Sequence, residues 1–312
     1  MRAVVLGATG FLGSNLASEF LKRKIEIIAF SPKSDRSRTL EHHGVKVVHG
    51  DFLKPQTLDD IPLKGVDWLV HFASTTNPKL SMLEPHRDEA NLTASSIIFQ
   101  KAIDAGVKKI LFSSSGGTVY GDAGDEPVDE TEETRPTIPY TRTKLAIENE
   151  LVELCDGTQT IPIILRYANP YGPNQYPAKG TGVVTAWLEA ARDSKPITLF
   201  GEGKAARDFI YVSDAIDAAI MALASKDARG VYNIGSGVAT TLSELVLAVR
   251  NVTKKRLDVN KVPARPSDVV SSIALDSSKA RRDFGWKAKV GLDEGINKTW
   301  KWVEIGEPFL LG

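Results

Sequence analysis

The stretch that most constrains what this chain can fold into lies at its start. Ala3-Val4-Val5-Leu6 is a short unbroken apolar run, and it predicts a strand over 2–6 buried on both faces of a parallel sheet. Gly7-Ala8-Thr9-Gly10-Phe11-Leu12-Gly13 follows at once, and then an amphipathic segment from Leu16 to Leu21. The spacing Gly-x-x-Gly-x-x-Gly between a first strand and a helix suits a dinucleotide. Glycine allows the tight turn and the close approach of a pyrophosphate, and the free N–H groups at the helix start, at Phe11, Leu12 and Gly13, bind it.

Beyond the turn the pattern alternates. Strands are expected at 25–30, 45–49, 67–72, 107–113, 161–166 and 231–234, with helices near 83–105, 140–154 and 213–225. Such alternation builds an α/β, doubly wound parallel sheet. At 312 residues the chain is roughly twice the usual single-domain length. Residues 1–169 and 206–235 are expected to form the dinucleotide-binding domain, the chain returning to the sheet through Phe209-Ile210-Tyr211. The turn-rich residues 170–205 and 236–312 are expected to form a smaller, interleaved lobe for the substrate.

The second strand closes as Ala29-Phe30-Ser31, where an NAD site often carries an acid for the ribose 2′-hydroxyl. Lys33, Arg36 and Arg38 follow instead, which leaves NADP open beside NAD. Asp51, with Phe52 next to it, lies past the third strand, placed to accept from an adenine amino group. Asn91 is expected to cap a helix or to support the site.

Tyr140 and Lys144 lie one above the other on a helix face. A phenol titrates near ~10 when unperturbed, and a fixed ammonium beside it favours the phenolate. Such a pair can take a proton from an alcohol while a hydride leaves the same carbon. Strand 107–113 runs into Ser113-Ser114-Ser115-Gly116-Gly117-Thr118, a stretch that reads as a turn. A hydroxyl there would hold the substrate against Tyr140. Arg207 and Arg265 suit a diphosphate, since guanidinium offers several fixed donors, or they pair with Asp208 and Asp268. Phe200 is placed either to stack on a base or to pack in the core.

Taken together, Gly7-x-x-Gly10-x-x-Gly13, the serine-rich strand end before Val119-Tyr120-Gly121, and Tyr140-x-x-x-Lys144 resemble the extended short-chain dehydrogenases/reductases. Within them the chain is similar to the NAD-dependent epimerase/dehydratase family, and most to its UDP-glucose (UDP-galactose) 4-epimerase group. The resemblance spans essentially the whole chain and implies a Rossmann-type fold. It makes Tyr140 and Lys144 catalytic, with Ser115. The family pattern has one residue fewer before Val119, so counting forward from the strand selects Ser115 and counting back from Val119 selects Gly116, with Thr118 in reserve. The resemblance also implies contacts from Asn169, Phe200, Arg207, Arg265 and Asp268 to a sugar nucleotide. An ungapped count from Arg265 puts Ser272 beside the sugar's C2 substituent, small enough to admit an N-acetyl group. Dehydratases of the family carry Thr-Asp-Glu before the Val-Tyr-Gly; Gly116-Gly117-Thr118 offers no acid there, which disfavours 4,6-dehydration.

The expectation is reversible C4 epimerisation of a UDP-linked hexose with a retained nicotinamide cofactor. The alternatives are a nucleotide-sugar reductase or dehydrogenase and a non-catalytic NAD(P)-binding protein. Lys+Arg and Asp+Glu balance at 39 each, so no nucleic-acid or acidic-membrane partner is expected. One cysteine, Cys155, excludes an intrachain disulfide. The five histidines form no ligand cluster, so no metal is expected. No apolar run approaches the ~20 residues of a membrane span, and Met1 runs almost directly into the first strand. A cytoplasmic homodimer is expected, paired through the helices near 91–105 and 141–154.

Overall fold

The computed structural model describes residues 1–124, 126–176, 182–264, 270–306 and 309. The first half alternates as expected: β1 (Arg2–Leu6), α1 (Phe11–Lys22), β2 (Glu26–Ser31), α2 (Asp35–His42), β3 (Lys46–His49) and β4 (Trp68–His71). After them come α3 (Pro78–Leu83), α4 (His86–Asp104), β5 (Lys109–Ser115), the short turn α5 (Gly116–Val119), α6 (Pro139–Cys155) and β6 (Ile161–Tyr167). The second half contains β7 (Asn169–Tyr171), α7 (Val183–Arg192), β8 (Ile197–Phe200), β9 (Ala206–Tyr211), α8 (Val212–Ala224) and β10 (Gly230–Ile234). It ends with β11 (Ala239–Thr241), α9 (Leu242–Thr253), β12 (Val259–Val262), α10 (Ser278–Phe284) and α11 (Leu292–Glu304).

Seven parallel strands form the main sheet in the order β10-β6-β5-β4-β1-β2-β3, a Rossmann-type arrangement. Its apolar strands serve two cores, because successive side chains point to opposite faces. Val4, Leu6, Ile28, Phe30, Ile110 and Phe112 pack with Ile98, Phe99, Ile147 and Leu151. Val5, Ile27, Ala29, Val70, Leu111 and Ile163 pack on the other face with Leu16, Phe20 and Ile216. The strand order turns back between β1 and β4, where sheets of this kind bind ligands at the carboxyl ends of their strands.

Three elements differ from the sequence expectation. The helix near 83–105 starts at His86, and a separate short helix, α3, precedes it; Pro85 disfavours helical backbone at the residue before it, and Glu84 sits at φ −133°, ψ 64° between the two. The serine run is not a turn: β5 continues to Ser115, paired residue by residue with β6 as far as Tyr167, and the reversal comes in the helical turn Gly116–Val119. Phe209-Ile210-Tyr211 does not rejoin the main sheet. β9 lies between β11 and β7 in a separate three-stranded sheet, and the return is made by α8 and β10.

Candidate active site

The glycine turn fits a dinucleotide through its backbone. Gly7 has φ +80°, open to glycine at little cost, and a Cβ there would lie 2.8 Å from the Ala73 nitrogen past β4. A Cβ on Gly13 would lie 2.1 Å from the Gly7 carbonyl oxygen, so α1 sits directly on the turn. Gly10 is the N-cap of α1 and brings no side chain to cap it, and the first turn carries no acid. The N–H groups of Phe11, Leu12 and Gly13 therefore face the crevice at the positive end of the helix, suited to a pyrophosphate.

On the ribose side Ser31 is buried, its hydroxyl 2.7 Å from that of Thr9. Arg36 stacks on the Tyr176 ring, 3.9 Å from its centroid, and Arg38 pairs with Asp35. Two of the three bases after β2 thus already have partners. Asp51 Oδ1 accepts from the Leu53 N–H at 3.0 Å, and Phe52 is buried edge-on to His71.

α6 brings in the chemistry. Pro139 opens the helix, preset at φ near −65°, and Tyr140 and Lys144 share the face toward β5. The Lys144 ammonium donates to the Ser113 carbonyl at 2.9 Å and lies 4.7 Å from the Phe112 centroid and 5.7 Å from that of Tyr140. Ser115 ends β5 against the Tyr140 phenol, and its hydroxyl is 3.0 Å from that of Thr118. The geometry thus joins Ser115, Thr118, Tyr140 and Lys144 at one strand end; Gly116 has no hydroxyl to offer.

The expected lowering of the Tyr140 pKa is overturned. Burial, aided by the charge of Asp88, pushes the phenol up to about 12, and the Ser115 contact opposes this only in part. The nearby ammonium does not offset it. Lys144 is itself pulled down to about 8 by burial, against the opposing charges of Glu148 and Asp88. Each member of the pair is held toward its neutral form, as desolvation requires.

A buried polar network lies beneath. Glu148, one turn beyond Lys144, accepts from Arg166 Nε at 3.1 Å and Nη2 at 2.7 Å, and from the Ser114 hydroxyl. Arg166 Nη1 donates to the Tyr120 hydroxyl at 2.9 Å, which donates to Asn233 at 2.7 Å. α6, β5, β6 and β10 are thereby tied together. The i+4 position of Glu148 is a signal visible in the sequence; its partner on β6 is not. Asn91 caps nothing: it lies within α4, its Oδ1 accepting from Thr75 N–H and hydroxyl and its Nδ2 donating to the Thr76 hydroxyl.

On the substrate side Asn169 lies across from Gly117, whose added Cβ would be 3.2 Å from its Nδ2, and it donates to the Asp208 carbonyl. Arg207 lies on β9 within reach of the charge of Asp122. Its expected alternative partner, Asp208, is instead buried and accepts from the N–H groups of Ser236, Gly237 and Leu275. Asp122, which sequence reasoning missed, accepts from the N–H groups of Ser271 and Ser272 at 3.3 and 3.2 Å. Ser272 is half-buried there, and Phe200 is the half-buried last residue of β8. Arg265 and Asp268 lie outside the described residues. Among the described residues no group of three or more His, Cys, Asp or Glu could hold a metal ion, and no helix is long and apolar enough to cross a membrane.

Comparison with known proteins agrees with this geometry. The pattern of the NAD dependent epimerase/dehydratase family matches residues 3–235. The UDP-glucose 4-epimerase of Mycolicibacterium smegmatis is 31% identical over 312 residues, covering 96% of this chain and 97% of that protein. The Thermotoga maritima UDP-glucose 4-epimerase, solved with UDP-glucose, superposes with a TM-score of 0.92 at 30% identity, covering 98% of this chain and 99% of that one. The Thermus thermophilus UDP-glucose 4-epimerase, solved with NAD, superposes with a TM-score of 0.89 at 30% identity, covering 96% and 98%.

Proposed function

The chain belongs to the NAD dependent epimerase/dehydratase family, and from that premise we propose that it interconverts nucleotide-linked hexoses epimeric at C4. It is an NAD-dependent enzyme of the extended short-chain dehydrogenase/reductase type. What carries the reading is the meeting of Ser115, Tyr140 and Lys144 at the end of β5, beside a Gly116-Gly117-Thr118 segment that holds no acid.

The cofactor is held by the turn Gly7, Gly10 and Gly13, the N–H groups of Phe11 and Leu12, and Asp51 with Phe52. Bound NAD supplies a reversible acceptor for the hydrogen on C4. In its phenolate form, the minor form in the buried site, Tyr140 takes the proton of the 4-hydroxyl, Ser115 steadies that oxygen, and the Lys144 charge favours the phenolate against the burial that disfavours it. The 4-keto sugar turns in the site, and Tyr140 returns the proton it took. The diphosphate is assigned to Arg207 and, on the family resemblance alone, to Arg265, with Asp268 a further contact to the nucleotide on the same ground. Asn169 and Phe200 contact the sugar nucleotide, and Ser272 leaves room at C2 for an N-acetyl group. In this reading 170–205 and 236–312 form the substrate lobe, the nucleotide is uridine, and the enzyme works as a cytoplasmic homodimer.

The test is interconversion of UDP-Glc with UDP-Gal, and of UDP-GlcNAc with UDP-GalNAc, without added NAD, alongside mass spectrometry of ligands released from the purified protein. Epimerisation that survives cofactor omission and is lost in Tyr140→Phe supports the reading. Steady consumption of NADPH with accumulation or loss of a 4-keto sugar would replace it with a net reductase.

A further inference from the structure

Against the Tyr140–Lys144 pair lies a cavity of about 10 Å³, room for roughly one water molecule. Ser74, Thr76, Asp88, Asn91, Tyr140 and Lys144 line it. Asp88 is an acid with no place in the chemistry proposed above, and it is 3% exposed. α4 carries it on the same face as Asn91, three residues on. Its two oxygens are held by hydroxyls: Thr76 donates to Oδ1 at 2.6 Å, and Ser81 donates to Oδ2. Thr76 in turn accepts from Asn91, which also fixes Thr75. A buried carboxylate braced by hydroxyls and lining the same small cavity as an ammonium and a phenol is an arrangement for acting by charge.

The geometry points to Asp88 as a positioning residue for the reaction: through the cavity it balances the Lys144 charge and so sets the pH range over which the Tyr140–Lys144 pair works. Glu148 supports the Lys144 charge as well, and more strongly, but of the two acids only Asp88 acts on both members of the pair. From β5 come the Ser113 carbonyl, the Phe112 ring and the Ser115 hydroxyl, none of them charged. From β4 comes His71, kept neutral by burial, its Nε2 2.8 Å from the Ser95 hydroxyl of α4. From α6 itself comes Glu148, whose carboxylate is shared with Arg166. Asp88 is braced by neutral hydroxyls instead, so its charge is not cancelled by a bound guanidinium. It favours the charged form of Lys144 and disfavours the phenolate of Tyr140. Both limbs of the pH profile therefore move together when it is removed.

The role rests on the proposed proton transfer, yet its test needs no turnover. In lysine-labelled protein, the carbon-13 resonance of the Lys144 ε-carbon, identified by its loss in Lys144→Arg, follows the ammonium directly. Asp88→Asn should lower that midpoint by at least about half a pH unit, and both limbs of the activity profile should move to lower pH with it. Ser81→Ala removes a hydrogen bond and keeps the charge, so its midpoint should stay in place. An unmoved midpoint in Asp88→Asn, or an equal shift in Ser81→Ala, would overturn the role. Should Asp88→Asn fail to fold, the wild type still decides: the Asp88 carboxyl resonance must shift as Lys144 loses its proton, and its indifference would overturn the role as well. If the wild type epimerises no sugar while the midpoint moves as stated, the proposed function falls and the coupling of Asp88 to Lys144 stands.

Discussion

The glycine turn after β1 and the first turns of α6 face the same crevice and are made in opposite ways. The turn works through absence: with no side chains at Gly7, Gly10 and Gly13, backbone donors stand open and α1 rests on the Gly7 carbonyl. α6 works through side chains taken out of water, so that a phenol and an ammonium are each held toward neutrality by burial. One region depends on local chain geometry, the other on what four distant elements place around it. A perturbation of the turn should therefore be felt first in binding, and one of α6 in chemistry and stability together.

The largest effect expected is on chemistry. Tyr140→Phe should lower kcat by about 10²–10⁴-fold, the usual contribution of a positioned acid–base group, while the protein retains its cofactor by mass spectrometry. Next is Glu148→Gln, which leaves the Arg166 guanidinium buried without a counter-charge. About 3–5 kcal/mol of stability should be lost in urea unfolding, whereas an exposed pair such as Arg2–Glu26 should contribute less than about 1 kcal/mol.

The third prediction uses pH. Burial lowers Lys144 from 10.5 to about 8, so between those values the unfolded chain binds more protons than the folded one. The lysine thus costs stability below pH 8, and that cost is relieved as pH rises toward 10.5. Lys144→Met should be inactive and more stable than wild type at neutral pH, by about 3 kcal/mol, with the difference shrinking through that window in thermal melts. The smallest effect on stability is expected at the turn. Gly13→Ala should destabilise by about 1–3 kcal/mol through overpacking, with loss of retained cofactor out of proportion to the change in Tm. A mutant that melts normally and keeps its cofactor would erase the contrast between the two regions.

The same contrast explains what could be read from the residues. Gly7, Gly10 and Gly13 announce their role because the backbone requirement is local, and the alternation of strands and helices announces the sheet for the same reason. The Tyr140–Lys144 spacing was equally plain, but the direction of the tyrosine's titration was not. It depends on Asp88, 52 positions earlier in the chain, and on the depth of the site. Serine-rich sequence favours a turn by propensity, yet pairing with β6 holds residues 113–115 in strand. Asp208 looked like a partner for Arg207, its neighbour; alternation along β9 puts the two on opposite faces and leaves Asp208 to the loop at Ser236–Gly237.

The Glu148–Arg166 pair also acts as an index for α6. A helix packed on a sheet through Ile147 and Leu151 alone has apolar contacts that tolerate a small slide along its axis. Arg166 and Ser114, fixed in adjacent strands, grip one carboxylate and remove that freedom. Tyr140 stands eight residues up the same helix, about 12 Å away at 1.5 Å per residue. Because a helix resists stretching, a stop set at Glu148 is transmitted along the rod to the phenol. The reach between Tyr140 and Ser115 is gauged from a point the substrate never touches.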